Sequence, residues 1–251
     1  MRTYLDLYYS GIEDAARALD VYLPDEKPEA IFLYIHGGGL DHGSRKRNSD
    51  DIARYLTERG IAYATMDYRM YPNAAYPDYI VDAAEAVAFV KREADNLFDG
   101  CDRLYVGGSS AGGYISMMLC FDRKYLAAVG LSNSDIAGYF HDAGQPTAHF
   151  RVLTERGIDP RRIIVDDSCP LYHIGTEEKY PPMRFIVSDN DMQNRYEQTM
   201  LTLSTLRHFG YTDFDHVVMK GSHCAYCGEV DEAGDVILAK MIFEFIEKVG
   251  K

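Results

Sequence analysis

The sequence has no tryptophan, has fewer basic than acidic residues, and nowhere runs apolar for long. With 26 Lys and Arg against 39 Asp and Glu, its formal charge is −13 at pH 7. That balance disfavours nucleic acid, anionic membranes and highly anionic substrates as long-range partners. No stretch approaches the roughly 20 apolar residues a bilayer-spanning helix needs. The segment from Met1 to Asp25 alternates polar and apolar side chains and has no uninterrupted apolar core of the signal-peptide type. A cytoplasmic protein without a membrane partner is the expectation. Lacking tryptophan, the chain must build any platform for a sugar or phenolic ring from its 20 tyrosines and 11 phenylalanines.

Cysteine is sparse and odd in number, at positions 101, 120, 169, 224 and 227. This is the usage of a reducing compartment, not of a disulfide framework. Cys224 and Cys227 form a lone C-x-x-C without the second pair, or the histidines at finger spacing, that zinc sites of this kind use. Two packed free thiols are the simpler expectation. Asp41 with His42 and Asp166 with Asp167 are isolated pairs, so no metal ligand set is expected. A phosphate-binding loop is missing as well: Gly113-Tyr114 stands where such a loop needs its lysine, and the glycine spacing is not that of a dinucleotide fingerprint. No cofactor is expected.

What the chain does have is a repeated alternation of buried strands and amphipathic helices. Its 251 residues, 47% hydrophobic and 26% charged, suffice for one sizeable core, and residues 1–251 are expected to form a single domain. Two strands, near residues 4–9 and 16–23, precede near-continuous apolar runs at Ala30–Ile35, Ile61–Met66, Leu104–Val106 and Leu126–Leu131. Met183–Val187 and Phe214–Met219 add two more. Helical spacing after Asn48, from about Tyr79 to Ala94, after Ser110, from about Asn194 to Phe209 and from about Asp231 to Lys248 separates them. Strands alternating with helices in this way predict a mostly parallel sheet with helices on both faces. Between about residues 132 and 182 the rhythm breaks, and a short lid insertion is expected there.

In open α/β sheets, chemistry gathers at the carboxyl ends of the strands. Reading only those ends gives His36-Gly37-Gly38-Gly39, Ser110, Asp191 and His223. Ser110 lies in Gly108-Ser109-Ser110-Ala111-Gly112, a G-x-S-x-G turn between strand and helix that exposes a serine hydroxyl above the sheet. A serine needs a base within hydrogen-bond reach, and the strand-end His223 is the candidate. Asp189 and Asp191 both lie close enough to the preceding strand end to orient it.

Together these motifs resemble the α/β-hydrolase superfamily, in particular the hormone-sensitive-lipase-like carboxylesterases and the small esterases near carbohydrate acetylesterases, feruloyl esterases and kynurenine formamidases. The matching residues are HGGGL at 36–40, DYR at 67–69 with Pro72, Asp82, GGSSAGG at 107–113, SCPLYHI at 168–174, SDND at 188–191 and GSH at 221–223. The resemblance implies Ser110 as nucleophile, His223 as base and Asp191, rather than Asp189, as the orienting carboxylate. It also implies an oxyanion hole from the amides of Gly38, Gly39 and Ala111, with His36 bracing the glycine loop. Two features depart from the pattern. Leu40 stands where many relatives carry an aromatic residue, and the insert is shorter than the cap of larger lipases. Leu40, Tyr71, Tyr139 and Phe140 are the candidates for contacting substrate.

The expected activity is hydrolysis of short-chain carboxylic esters of a small molecule, acetylated or feruloylated carbohydrate included, through an acyl-enzyme. An amidase, formamidase or peptidase with the same residues is the first alternative, and a non-catalytic ligand-binding relative a remote one. The sequence leaves open whether the chain forms a homo-oligomer.

Overall fold

The computed structural model describes residues 1–250. Among them, eight strands form one sheet: β1 (Arg2–Tyr8), β2 (Ala18–Leu23), β3 (Ala30–Ile35), β4 (Ile61–Met66), β5 (Leu104–Ser109), β6 (Gly138–Asp142), β7 (Met183–Asn190) and β8 (Phe214–Ser222). Their order in space is β1-β2-β4-β3-β5-β6-β7-β8. The two N-terminal strands join antiparallel, and every later pairing is parallel. Parallel strands require crossovers, and helices supply most of them. These are α1 (Ser49–Thr57), α2 (Asp78–Arg92), α3 (Ala94–Leu97), α4 (Ala111–Phe121), α5 (Lys124–Ala128), α6 (Phe150–Glu155), α7 (Pro170–His173), α8 (Arg195–His208) and α9 (Ile237–Val249).

The strand sequences explain the layering. In β3, Ile31, Leu33 and Ile35 face a core shared with α2, α4 and α8, while Ala30, Phe32 and Tyr34 face a second core shared with α1 and α9. Both faces are covered, so the inner strands are apolar along their whole length instead of alternating. α4 lies against the middle of the sheet and is buried at every residue.

Two expectations need correction. Leu126–Leu131 does not form a strand: Tyr125 and Leu126 turn inward on the short helix α5, Ala127 and Ala128 are exposed, and Gly130 closes the turn with φ of 76°. Lys, Leu and Ala are good helix formers, and the two alanines make an exposed helical face inexpensive. The missing strand is β6, which lies inside the stretch expected to be a lid and pairs in register with β5 and β7. Its sequence, Gly-Tyr-Phe-His-Asp, ends in buried polar residues and so does not read as an apolar run. Tyr139 and Phe140 on this strand are fully buried on opposite faces of the sheet, in the two separate cores. They are packing residues, and their assignment to substrate is withdrawn.

α4 can approach the sheet only because position 112 has no side chain. A Cβ on Gly112 would fall inside the contact radius of the Ile35 carbonyl oxygen at the end of β3. Neither backbone can retreat without moving a central element, so Gly112→Ala should cost about 1–3 kcal/mol of stability or more. At Gly130 the positive φ remains but the space around it is open, so Gly130→Ala should cost only about 1 kcal/mol. Urea denaturation of both variants tests the ordering, and equal losses would contradict it.

Candidate active site

Ser110 sits between β5 and α4 with φ of 56° and ψ of −112°. This is a strained corner for a residue with a side chain, and it aims the hydroxyl off the end of the sheet. The corner is held by the Ser110 amide, which donates to the Asp142 carbonyl at 2.8 Å, and by the Tyr114 amide, which donates back to the Ser110 carbonyl at 3.0 Å. His223 follows β8, and its Nε2 lies 2.8 Å from Ser110 Oγ. On the far side of the ring, His223 Nδ1 is 2.5 Å from Asp191 Oδ1. The structure thus joins three side chains that are 81 and 32 residues apart in the chain: Ser110, Asp191 and His223.

The choice between the two aspartates is decided by what each one meets. Asp189 accepts the Gly221 amide at 2.9 Å and so ties the end of β7 to β8. The Asp191 side chain is fully buried and accepts the amides of Ser188 at 3.1 Å and Met192 at 2.7 Å in addition to the imidazole. Burial works against its charge, but the bonds from His223 and the two amides outweigh it and hold the carboxyl below the ordinary range. For His223, burial opposes the imidazolium. The Asp191 bond and the neighbouring Cys224 sulfur overcome that opposition and raise the imidazole pKa to about 9.

The glycine loop after β3 forms the opposite wall. Gly38 has φ of 123° and Gly39 of 63°, and a Cβ on Gly38 would collide with the His42 carbonyl. Both residues line the same cavity as Ser110. Among the described residues, their amides donate to no protein acceptor. Ala111, buried at the first position of α4, presents the unpaired amide of a helix start. His36 holds the loop instead of facing a reactant. Its Nδ1 is 2.6 Å from the Gly37 carbonyl, its Nε2 is 3.4 Å from Asp67, and its ring stacks on Tyr68 at 4.4 Å. Tyr68 donates to the His36 carbonyl at 3.1 Å. Asp67 is fixed in turn by Arg45, whose guanidinium also reaches Asp6 and the buried Asp20.

The cavity between these walls has a volume of about 540 Å³. Besides Ser110, His223 and the glycine loop, its lining includes Phe150, Met192, Ile52 and Leu238, with the polar Arg47 and Asn48. None of the four expected substrate contacts is among its lining residues. Leu40 is fully buried in the core on the α2–α4 face of the sheet. Tyr71 lies outside the cavity, with the Arg151 guanidinium 5.0 Å from its ring. Tyr139 and Phe140 belong to the cores, as described above. Phe150 begins α6 within the segment expected to be a lid, and Met192 directly follows Asp191. Adjacency to Asp191 was the only signal for Met192, and a place in the expected lid the only one for Phe150.

An eight-stranded, mostly parallel sheet with a serine at the sharp turn after β5, and a carboxylate and histidine after β7 and β8, defines an α/β-hydrolase fold. The BD-FAE family model matches residues 19–155, more than half of the sequence, and the chain belongs to that family. Among solved structures, a truncated carbohydrate esterase from gut microbiota superposes with a TM-score of 0.82 at 18% identity, covering 100% of this chain and 97% of the other. The propionate-bound Est2 esterase of Thermogutta terrifontis superposes with a TM-score of 0.78 at 19% identity, covering 99% and 94%. In sequence, the chain is 25% identical to Esterase LipC of Mycobacterium tuberculosis (strain ATCC 25618 / H37Rv) over 84% of its own length and 57% of LipC. It is 29% identical to the probable isoprenylcysteine alpha-carbonyl methylesterase ICMEL1 of Arabidopsis thaliana over 50% of its length and 28% of that protein. The chain thus spans little more than half the length of LipC and less of ICMEL1.

The electrostatics of the pair can be measured directly. In an NMR titration, His223 should keep its proton through neutrality and lose it with a midpoint near 9. In Asp191→Asn the carboxylate that sustains the imidazolium is gone while burial persists, so the midpoint should fall toward or below the ordinary value of about 6.5. An unchanged midpoint would show that Asp191 does not act on the ring.

Proposed function

We propose that the protein is a serine hydrolase that cleaves short-chain carboxylic esters through an acyl-enzyme. The observation that carries this reading is the unbroken relay Ser110–His223–Asp191, with bonds of 2.8 and 2.5 Å, at the wall of a cavity shared with Gly38 and Gly39. On this reading, Ser110 Oγ attacks the ester carbonyl while His223 Nε2 takes its proton, and Asp191 holds the ring in the tautomer that leaves Nε2 free to accept. The oxyanion that develops is met by the amides of Gly38, Gly39 and Ala111. These are fixed before reaction and need no reorganisation. The protonated His223 then delivers its proton to the leaving alcohol, and the same groups activate water to release the acid.

Phe150 and Met192 line the same cavity as Ser110, and side chains of this bulk there favour a short acyl chain. The esterase structure with bound propionate and the carbohydrate esterase among the structural neighbours support a small acyl group on a carbohydrate alcohol. Five cysteines without a disulfide suit a reducing, cytoplasmic setting, and among the described residues no helix is long and apolar enough to cross a membrane.

With p-nitrophenyl esters, acetate to butyrate should be cleaved at least about tenfold faster than octanoate, since each misplaced methylene costs on the order of 1 kcal/mol or more in a bounded pocket. Ser110→Ala should lower kcat by about 10⁴-fold or more. Because His223 must be neutral to accept the Ser110 proton and its pKa is raised to about 9, kcat/KM should climb from pH 7 and level off above about 9. Wild-type turnover in Ser110→Ala, or a profile already flat at pH 7, would contradict the assignment.

A further inference from the structure

Immediately after His223 the chain turns through a short 3-10 segment, Ala225–Gly228, flanked by Cys224 and including Cys227. Both sulfur-bearing residues line the active-site cavity, unlike Cys101, Cys120 and Cys169, which are buried elsewhere. Behind them, at the end of β6, stands Asp142, which has no exposed surface. The Cys224 sulfur, the Cys227 sulfur and one Asp142 carboxylate oxygen all lie within 4.8 Å of one another. Cys227 Sγ is 3.4 Å from Asp142 Oδ2, and Cys224 Sγ is 3.7 Å from His223 Nε2.

The separation of Cys227 Sγ from Asp142 Oδ2 is close to the one a tetrahedral metal sets, and all three ligand atoms lie near enough to share one ion. Zinc bonds of about 2.3 Å to sulfur and about 2.0–2.2 Å to oxygen place a sulfur and an oxygen ligand about 3.6 Å apart. The carboxylate is also held as metal-bound carboxylates are, by outer hydrogen bonds. Tyr226 donates to Asp142 Oδ1 and Ser109 to Oδ2, and Tyr34 donates to Ser109 at 2.9 Å. Such outer partners orient a ligand and strengthen its hold on the ion.

We propose that Cys224, Cys227 and Asp142 form a zinc-binding site in the wall of the active-site cavity, with the fourth coordination position turned toward the cavity and His223. Binding releases two protons to solvent as the two thiols become zinc-bound thiolates, and no electrons are exchanged. Two sulfurs with one carboxylate select a soft divalent ion such as zinc over magnesium or calcium, which prefer all-oxygen sites. On the reading that His223 is the base for Ser110, an ion whose open position faces the ring competes with Ser110 for His223 Nε2, so zinc occupancy slows the esterase reversibly.

The test uses the full chain, reduced with a non-coordinating phosphine and titrated with zinc against a chromophoric chelator. One equivalent should bind per chain, and cobalt(II) in its place should give thiolate charge-transfer absorption with the visible bands of a tetrahedral site. Cys224→Ser and Cys227→Ser should each weaken binding by about 100-fold or more, and Asp142→Asn by about 10- to 100-fold. Thermal melts identify which variants fold. Binding is read without reference to turnover, so it stands or falls separately from the esterase reading. In parallel, zinc inhibition of the native chain should follow occupancy and reverse with EDTA. Absence of stoichiometric binding, or both folded cysteine variants binding zinc as tightly as the native chain, would overturn the site. So would equal zinc inhibition of both cysteine variants, which would transfer the metal to His223 itself.

Discussion

The backbone crossing at Gly112, where the first turn of α4 lies against the carbonyl end of β3, is the constraint on which the site depends. A helix that starts this close to a central strand forces the intervening residue into a conformation that side chains avoid, and Ser110 pays that strain with φ of 56°. The strain is supported by burial on every side of α4 and by the bond from the Ser110 amide to Asp142. In return, the serine hydroxyl projects from the sheet toward the loops after β7 and β8. A looser crossing would let the corner relax into an ordinary helix start and turn the hydroxyl back toward the backbone.

The remaining parts of the site reach that hydroxyl from separate, independently braced elements. The His223 ring is positioned by a buried carboxylate whose other bonds come from the backbone, so its geometry belongs to the β7–β8 pair and not to flexible side chains. The glycine loop is fixed from the opposite side through His36, Tyr68, Asp67 and Arg45. These are buried or half-buried polar groups, and their cost is offset only because each one is paired. Arg69 and Asp82 extend the same pattern: the fully buried carboxylate of Asp82 accepts both the amide and the guanidinium of Arg69. The DYR motif and Asp82 therefore carry structural weight.

Features that depend on local patterning were legible in the sequence. The buried strands β3 and β4 are continuous apolar runs because both faces of the sheet are covered, and their bounds follow the hydrophobicity directly. Ser110, Asp191 and His223 were legible because strand ends mark one edge of a parallel sheet. Features that depend on tertiary context were not. β6 carries His141 and Asp142 into the interior, where His141 bonds Ser116 at 2.9 Å and burial lowers its pKa to about 3. Residues that polar within a core can be recognised only once their partners are known. Tyr71, Tyr139 and Phe140 looked like aromatic platforms because aromatic residues read alike in sequence whether they line a cavity or pack elsewhere, and Leu40 was misassigned because a place next to the glycine loop does not decide on which side of it a side chain packs. The third member of the cysteine cluster is likewise invisible in one dimension, since Asp142 precedes Cys224 by 82 residues.

Activation of one hydroxyl is the central claim, and covalent labelling reads it most directly. Incubation of the folded chain with a fluorophosphonate, followed by mass spectrometry of its peptides, should place a single adduct on Ser110, at a rate that rises with pH as His223 loses its proton and collapses in His223→Ala. An adduct on another residue, or labelling of Ser110 at an undiminished rate without His223, would contradict the account.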